Sequence, residues 1–198
     1  MLRSLLASAA VLLLVSGCAS RSPLDIDIQQ RRAFEDTTGA RTAVLKVATP
    51  EADEAGAAMN VWGTVYPPTA RQSFAELLAH HARRTGGMEV VPPPEVDERL
   101  RLAGLEPTLN PSDKELAEFA RTLECENYLE AVVQRWRYTY LLTHQKAIVS
   151  FTLHCYEPGD PTPLWTARVS HTRRGKSERQ VADDALRRLF QQLSDEEE

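Results

Sequence analysis

The side chains in this sequence best suited to covalent or ligand chemistry are three cysteines and five histidines. A serine hydrolase would show a Gly-x-Ser-x-Gly elbow, a zinc protease a His-Glu-x-x-His helix, and a dithiol enzyme a Cys-x-x-Cys pair. None of these patterns occurs, and Gly86-Gly87 precedes a strand-like run with no phosphate-loop Lys. His80 and His81 are adjacent, so on a helix they point in different directions. His81 falls on the apolar stripe Phe74, Leu77, Leu78, His81 and reads as a core residue. His154 and His171 fall on neighbouring strands, with His171 expected opposite residue 149, several residues from His154. A zinc site needs three or four converging ligands, so neither a metal nor another cofactor is expected, and no residue is assigned a catalytic role.

Cysteine chemistry is better specified. The stretch LLLVSGCASRS, residues 12–22, ends an apolar run at Val15-Ser16-Gly17-Cys18. Arg3 lies before the run, which spans Leu5 to Val15 and is too short to cross a bilayer, a task needing about 20 residues. Residues 1–17 therefore read as a secretory signal. Val15-Ser16-Gly17-Cys18 resembles the bacterial lipobox: a branched residue, two small residues, then Cys. That resemblance implies cleavage before Cys18 and acylation of both its thiol and the new amino terminus. Several acyl chains anchor stably where one does not. Ala19 and Ser20 follow, with no Asp after the Cys, which by the enteric sorting rule implies the outer membrane, facing the periplasm.

Lipidation of Cys18 leaves Cys125 and Cys155 in an oxidising compartment, where a disulfide can persist. The net charge is −5, which gives no footing for nucleic-acid binding.

The elements that must position these residues follow from periodicity. Residues 18–40 read as the lipidated Cys and a tether, with local structure near Ile26 and Ile28. Residues 41–194 read as one α/β domain, and 195–198 as an acidic tail. Arg41 to Ala48 alternates like a strand. A long loop, 49–67, follows; loops of this length are often functional. Thr69 and Gln72 have capping-box spacing, and the helix they open stops at Gly86-Gly87. Met88 to Val91 is a short strand, and Glu95 to Ala103 a short helix. Asn110-Pro111 opens another helix, with Leu116, Phe119, Ala120 and Leu123 on one face. Tyr128 to Tyr140, Lys146 to Tyr156 and Leu164 to Ser170 form a three-strand meander. In its middle strand Val149, Phe151, Leu153 and Cys155 share one face, and Ser150, Thr152 and His154 the other. A last helix, with Ser177 and Gln180 at capping-box spacing, buries Ala182, Ala185, Leu186, Leu189, Phe190 and Leu193. The expected fold class is α/β: a mixed sheet with an antiparallel meander and helices mainly on one face. Simple hairpin pairing puts Cys155 opposite residue 129, near Cys125. The pair reads as a disulfide, with two buried free thiols as the alternative.

RTAVLKV, GGMEVVPPPEV, LAEFARTLECENYLEAVVQRW and YEPGDPTPLWTARV, in this order, resemble a periplasmic lipoprotein domain. It is the domain of the TolB amino-terminal region, the curli-secretion lipoprotein and the lipoprotein activator of penicillin-binding proteins. The resemblance covers roughly residues 41–193 and implies a binding or assembly role in the cell envelope, with no catalytic residues. Cys125, Cys155 and the loop at 49–67 depart from the pattern.

Candidate partner-binding residues combine aromatics with arginine, typical interface anchors. Trp62 and Tyr66 stand in the long loop; Arg135, Trp136 and Arg137 lie near the hairpin tip. Trp136 is either an exposed anchor or core, with arginine stems lying over apolar surface. Arg173 and Arg174 belong to a basic cluster with Arg168, Lys176 and Arg179, suited to an acidic protein, anionic lipid or peptidoglycan, or simply solvated. The leading expectation is a non-enzymatic adaptor or assembly factor for an envelope machine of cell-wall synthesis, secretion or transport. It would be tethered to the membrane and bound to an envelope protein. Alternatives are an oligomeric subunit of an outer-membrane secretion complex, and an envelope hydrolase or metal-binding protein.

Overall fold

The computed structural model describes residues 24–49, 69–105, 111–141 and 144–195. The signal segment, Cys18, Trp62, Tyr66 and the end of the acidic tail lie outside them.

The order of elements is β1 (Leu24–Gln30), a 3-10 turn (Phe34–Thr37), β2 (Arg41–Ala48), α1 (Thr69–Arg84), β3 (Glu89–Val91), α2 (Pro93–Leu102), α3 (Asp113–Thr122), β4 (Asn127–Leu141), β5 (His144–Tyr156), β6 (Trp165–Arg174) and α4 (Glu178–Asp195). Six strands form one mixed sheet in the order β1-β6-β5-β4-β2-β3. β1, β6, β5 and β4 are antiparallel neighbours, and β2 joins β4 and β3 in parallel. The fold class is the expected one. The registers also match: Cys155 faces Leu129, and His171 faces Val149.

Period-two alternation separates two cores on opposite faces. Val44 and Leu129 belong to one, and their chain neighbours Ala43 and Tyr128 to the other. The larger core lies under α1 and α4, where Phe34, Phe74, Trp136, Phe151, Trp165 and Phe190 meet. The smaller lies under α2 and α3, around Val96, Leu100, Leu116, Phe119 and Leu123. Tight packing leaves no room at Gly86, where a Cβ would come within 2.8 Å of Ala82 O and Phe190 Cδ1.

Four expectations change. Residues 24–30 are an edge strand, not tether: Leu24, Ile26 and Ile28 pack against the larger core. The 3-10 turn that follows buries Phe34, its ring 5.9 Å from that of Trp165. The cap of α3 is Ser112, not Asn110. Its hydroxyl accepts from Glu115 N–H while the Glu115 carboxylate accepts from Ser112 N–H, so two otherwise unpaired donors are satisfied. α1 already includes Thr69, so the helix starts at least one residue earlier than a Thr69 cap would place it, and the Gln72 amide donates to Glu76 at 3.2 Å. Finally, Cys125 and Cys155 are both buried free thiols. Cys125 sits in the smaller core and Cys155 in the larger, on opposite faces of the sheet. Ser177 and Gln180 do form the expected reciprocal cap of α4.

Candidate interaction surface

Cover by α2 and α3 ends at the β2–β3 side. Among the described residues no helix covers the same face of β1, β6, β5 and the distal half of β4. At its covered margin the face is polar but satisfied. Lys46 pairs with Glu130 at 2.6 Å, both largely buried. His154 Nδ1 lies 2.9 Å from the Thr166 hydroxyl. Burial pushes the His154 pKa down; Glu130 opposes this, and Arg168 and Lys46 add to it. The Tyr128 and Tyr156 rings stack at 5.3 Å, and burial pushes the Tyr128 phenol up to about 12.

Toward the hairpin end the face becomes basic. A bulge between Val133 and Arg135 resets the alternation of β4. Beyond it Trp136 points inward, 4% exposed, edge-on to Phe74 at 6.3 Å. It is a core residue and not the exposed anchor that its arginine neighbours invited. Arg135 and Arg137 point outward and are exposed. Register sets Arg137 opposite Ile148, which in turn faces Thr172 on β6, and sets Lys146 opposite Arg174. The two arginine groups of the sequence thus converge across three strands. Lys146 completes them; its alternation within β5 signalled this, but only the register shows its neighbours. Among the described residues, no ion pair engages Arg135, Arg137, Lys146, Arg174 or Lys176.

Other basic residues of that cluster are engaged. Arg173 reaches Asp184 at 3.4 Å, Arg179 reaches Glu76 at 3.9 Å, and Arg168 reaches Asp27 at 4.0 Å. Asp184 also accepts from His171 Nε2 at 2.9 Å, and from Arg187 and Arg188. Burial pushes its carboxyl up, but the hydrogen bonds from His171, Arg187 and Arg188 outweigh it and hold it well below the usual carboxylate range. His171 is fully buried, so this pair clamps α4 to β6.

A second His–Asp contact joins α1 to α4: His81 Nε2 lies 2.8 Å from Asp183. His81 is buried as expected, although its Nδ1 has no hydrogen-bond partner among the described residues. An open groove beside it is lined by Glu76, Leu77, His80, Arg179, Gln180 and Asp183. No group of three His, Cys, Asp or Glu side chains arranged to hold a metal occurs among the described residues. Burial pushes the Cys125 thiol up to about 11 and the Cys155 thiol higher still, the opposite of nucleophile activation.

No family model matches the chain, and no curated protein matches it. Solved structures do. A PelC dodecamer from Paraburkholderia phytofirmans is 18% identical at a TM-score of 0.60, covering 85% of this chain and 96% of that one. Lipoprotein GNA1162 from Neisseria meningitidis is 12% identical at 0.55, covering 79% and 99%. The LpoB C-terminal domain from Escherichia coli is 12% identical at 0.45, covering 68% and 83%. At these identities, the first two show that the fold is shared.

Proposed function

We propose that the chain is a lipid-anchored protein of the outer membrane, facing the periplasm, that works by binding and positioning envelope proteins. Cys18 carries the lipid, and the α/β domain presents its open sheet face. The observation that carries this reading is the Val15-Ser16-Gly17-Cys18 spacing behind a short apolar run. The fold shared with lipoprotein GNA1162 supports it. Buried thiols of raised pKa and His–Asp pairs tied into helix packing favour a structural over a catalytic use of these groups. Tethering raises the effective concentration of the domain near any partner in the same membrane.

The likeness to PelC, whose solved form is a dodecamer, favours a second reading in which the chain works as a homo-oligomer.

Cell fractionation with Cys18→Ala tests the anchor. The wild-type chain is expected in the membrane fraction and the variant in the periplasm; a variant that stays with the membrane refutes anchoring through Cys18. Crosslinking in intact cells, then affinity capture and mass spectrometry, separates the readings. One envelope protein recovered with the chain supports the adaptor; copies of the chain alone, in a large assembly, support the oligomer.

A further inference from the structure

The basic end of the open face is also where the chain enters the domain. Leu24 pairs with His171, which lies within about 10 Å of Arg174 along β6 at the usual strand rise. β1 then runs away from that end, so Leu24 is the residue of β1 nearest to it. Residues 19–23 alone separate Cys18 from Leu24, a reach of about 20 Å at full extension. An acyl chain on Cys18 therefore holds the hairpin end, and no other, within a short distance of the headgroups.

The charge of that end is opposite to the charge of the chain. Net charge overall is −5, yet Arg135, Arg137, Lys146, Arg174 and Lys176 gather there, exposed and without ion pairs among the described residues. Among the described residues, acidic neighbours flank the cluster and do not interleave with it: Asp25 and Asp27 lie on β1, beside β6 and three strands from β4, where they pair with Ser170 and Arg168, and Glu178 begins α4. Holding five unpaired cations together costs repulsion, which a surface of negative charge relieves.

We infer that this basic end is a docking surface for anionic phospholipid headgroups of the membrane that holds the anchor. The inference rests on the anchoring reading above. Lipid and basic cluster then act as two signals, a chain for attachment and charge for orientation. The domain stands with its hairpin end on the membrane and the turn between β5 and β6 facing away.

The test uses the full lipidated chain in vesicles, with an environment-sensitive fluorophore on Thr172→Cys beside the cluster or on Pro161→Cys at the far turn. Vesicles hold neutral lipid, with or without about 30% phosphatidylglycerol, and a headgroup-level quencher. Quenching at residue 172 is expected to rise several-fold with phosphatidylglycerol, and to fall back in roughly 0.5 M salt, where screening is short-ranged. Arg135→Glu, Arg137→Glu, Lys146→Glu and Arg174→Glu together should abolish the rise while the protein still floats with vesicles. Residue 161 should show none of this. Equal quenching at both sites, or no response to phosphatidylglycerol, overturns the docking surface while the anchor stands. Absence of acyl chains on Cys18 by mass spectrometry sinks the anchor, and the orientation with it. A photoreactive group at Ile148 that captures an acidic protein instead of lipid in cells reassigns the end to that protein.

Discussion

Neighbouring residues in β4 take opposite fates: Trp136 fills the larger core while Arg135 and Arg137 face solvent. The sequence makes the alternation visible, but the bulge before Arg135 sets its phase, and no residue type announces it. The cysteines show the same limit. Pairing of Cys155 with Leu129 is legible from hairpin length. The face taken by Cys125 is not, because it depends on a turn in which Glu124 adopts φ 56°, a left-handed conformation usually given to Gly or Asn. Nothing in Leu123-Glu124-Cys125 advertises that turn. The expected outcome is that the unfolded protein, never reduced, reacts with a maleimide at both Cys125 and Cys155, and that the folded protein reacts slowly at each. Blocked thiols after unfolding would restore the disulfide.

Elements were readable where two faces differ in polarity, as in β5 and α4. β1 was harder. Leu24, Ile26 and Ile28 alternate, but Arg31-Arg32 and the short run compete with that signal, and an edge strand becomes a strand only by pairing with β6. The union of α4 with β6 was not legible at all, since His171 and Asp184 find each other only in space. That pair predicts a pH response. A carboxylate held below its usual range stabilises the fold fully above its unfolded pKa, about 4, and the contribution is lost as pH falls through the folded value. Asp184→Asn keeps the shape and removes the charge. Urea unfolding at pH 7 should show a loss of roughly 1.5–3 kcal/mol, the scale of charged hydrogen bonds. The variant's stability should also fall less steeply than the wild type's as the pH drops below 4. Parallel acid profiles for the two proteins would exclude Asp184 as the source.

At the scale of the molecule, the class and the meander were legible from element order, whereas the amino-terminal boundary was not. A chain beginning at residue 41 would lack β1 and Phe34, uncovering the edge of β6 and opening the core at Trp165 and Phe190. Loss of one buried Phe side chain alone costs about 3–5 kcal/mol, and an uncovered edge invites aggregation. A chain beginning at residue 19 should unfold cooperatively and stay soluble; one beginning at residue 41 should aggregate or unfold at much lower urea. Equal midpoints would return residues 24–40 to the tether. The seven-residue pairing of β1 with β6 also has a mechanical meaning. Leu24, the point where a pull from the amino terminus arrives, is at one end of the pairing, and Trp165, where β6 begins, is at the other. Tension along the strand axis therefore loads the rungs together in shear, not one after another as in unzipping. A strand loaded this way would hold under the drag that an anchor at Cys18 would transmit.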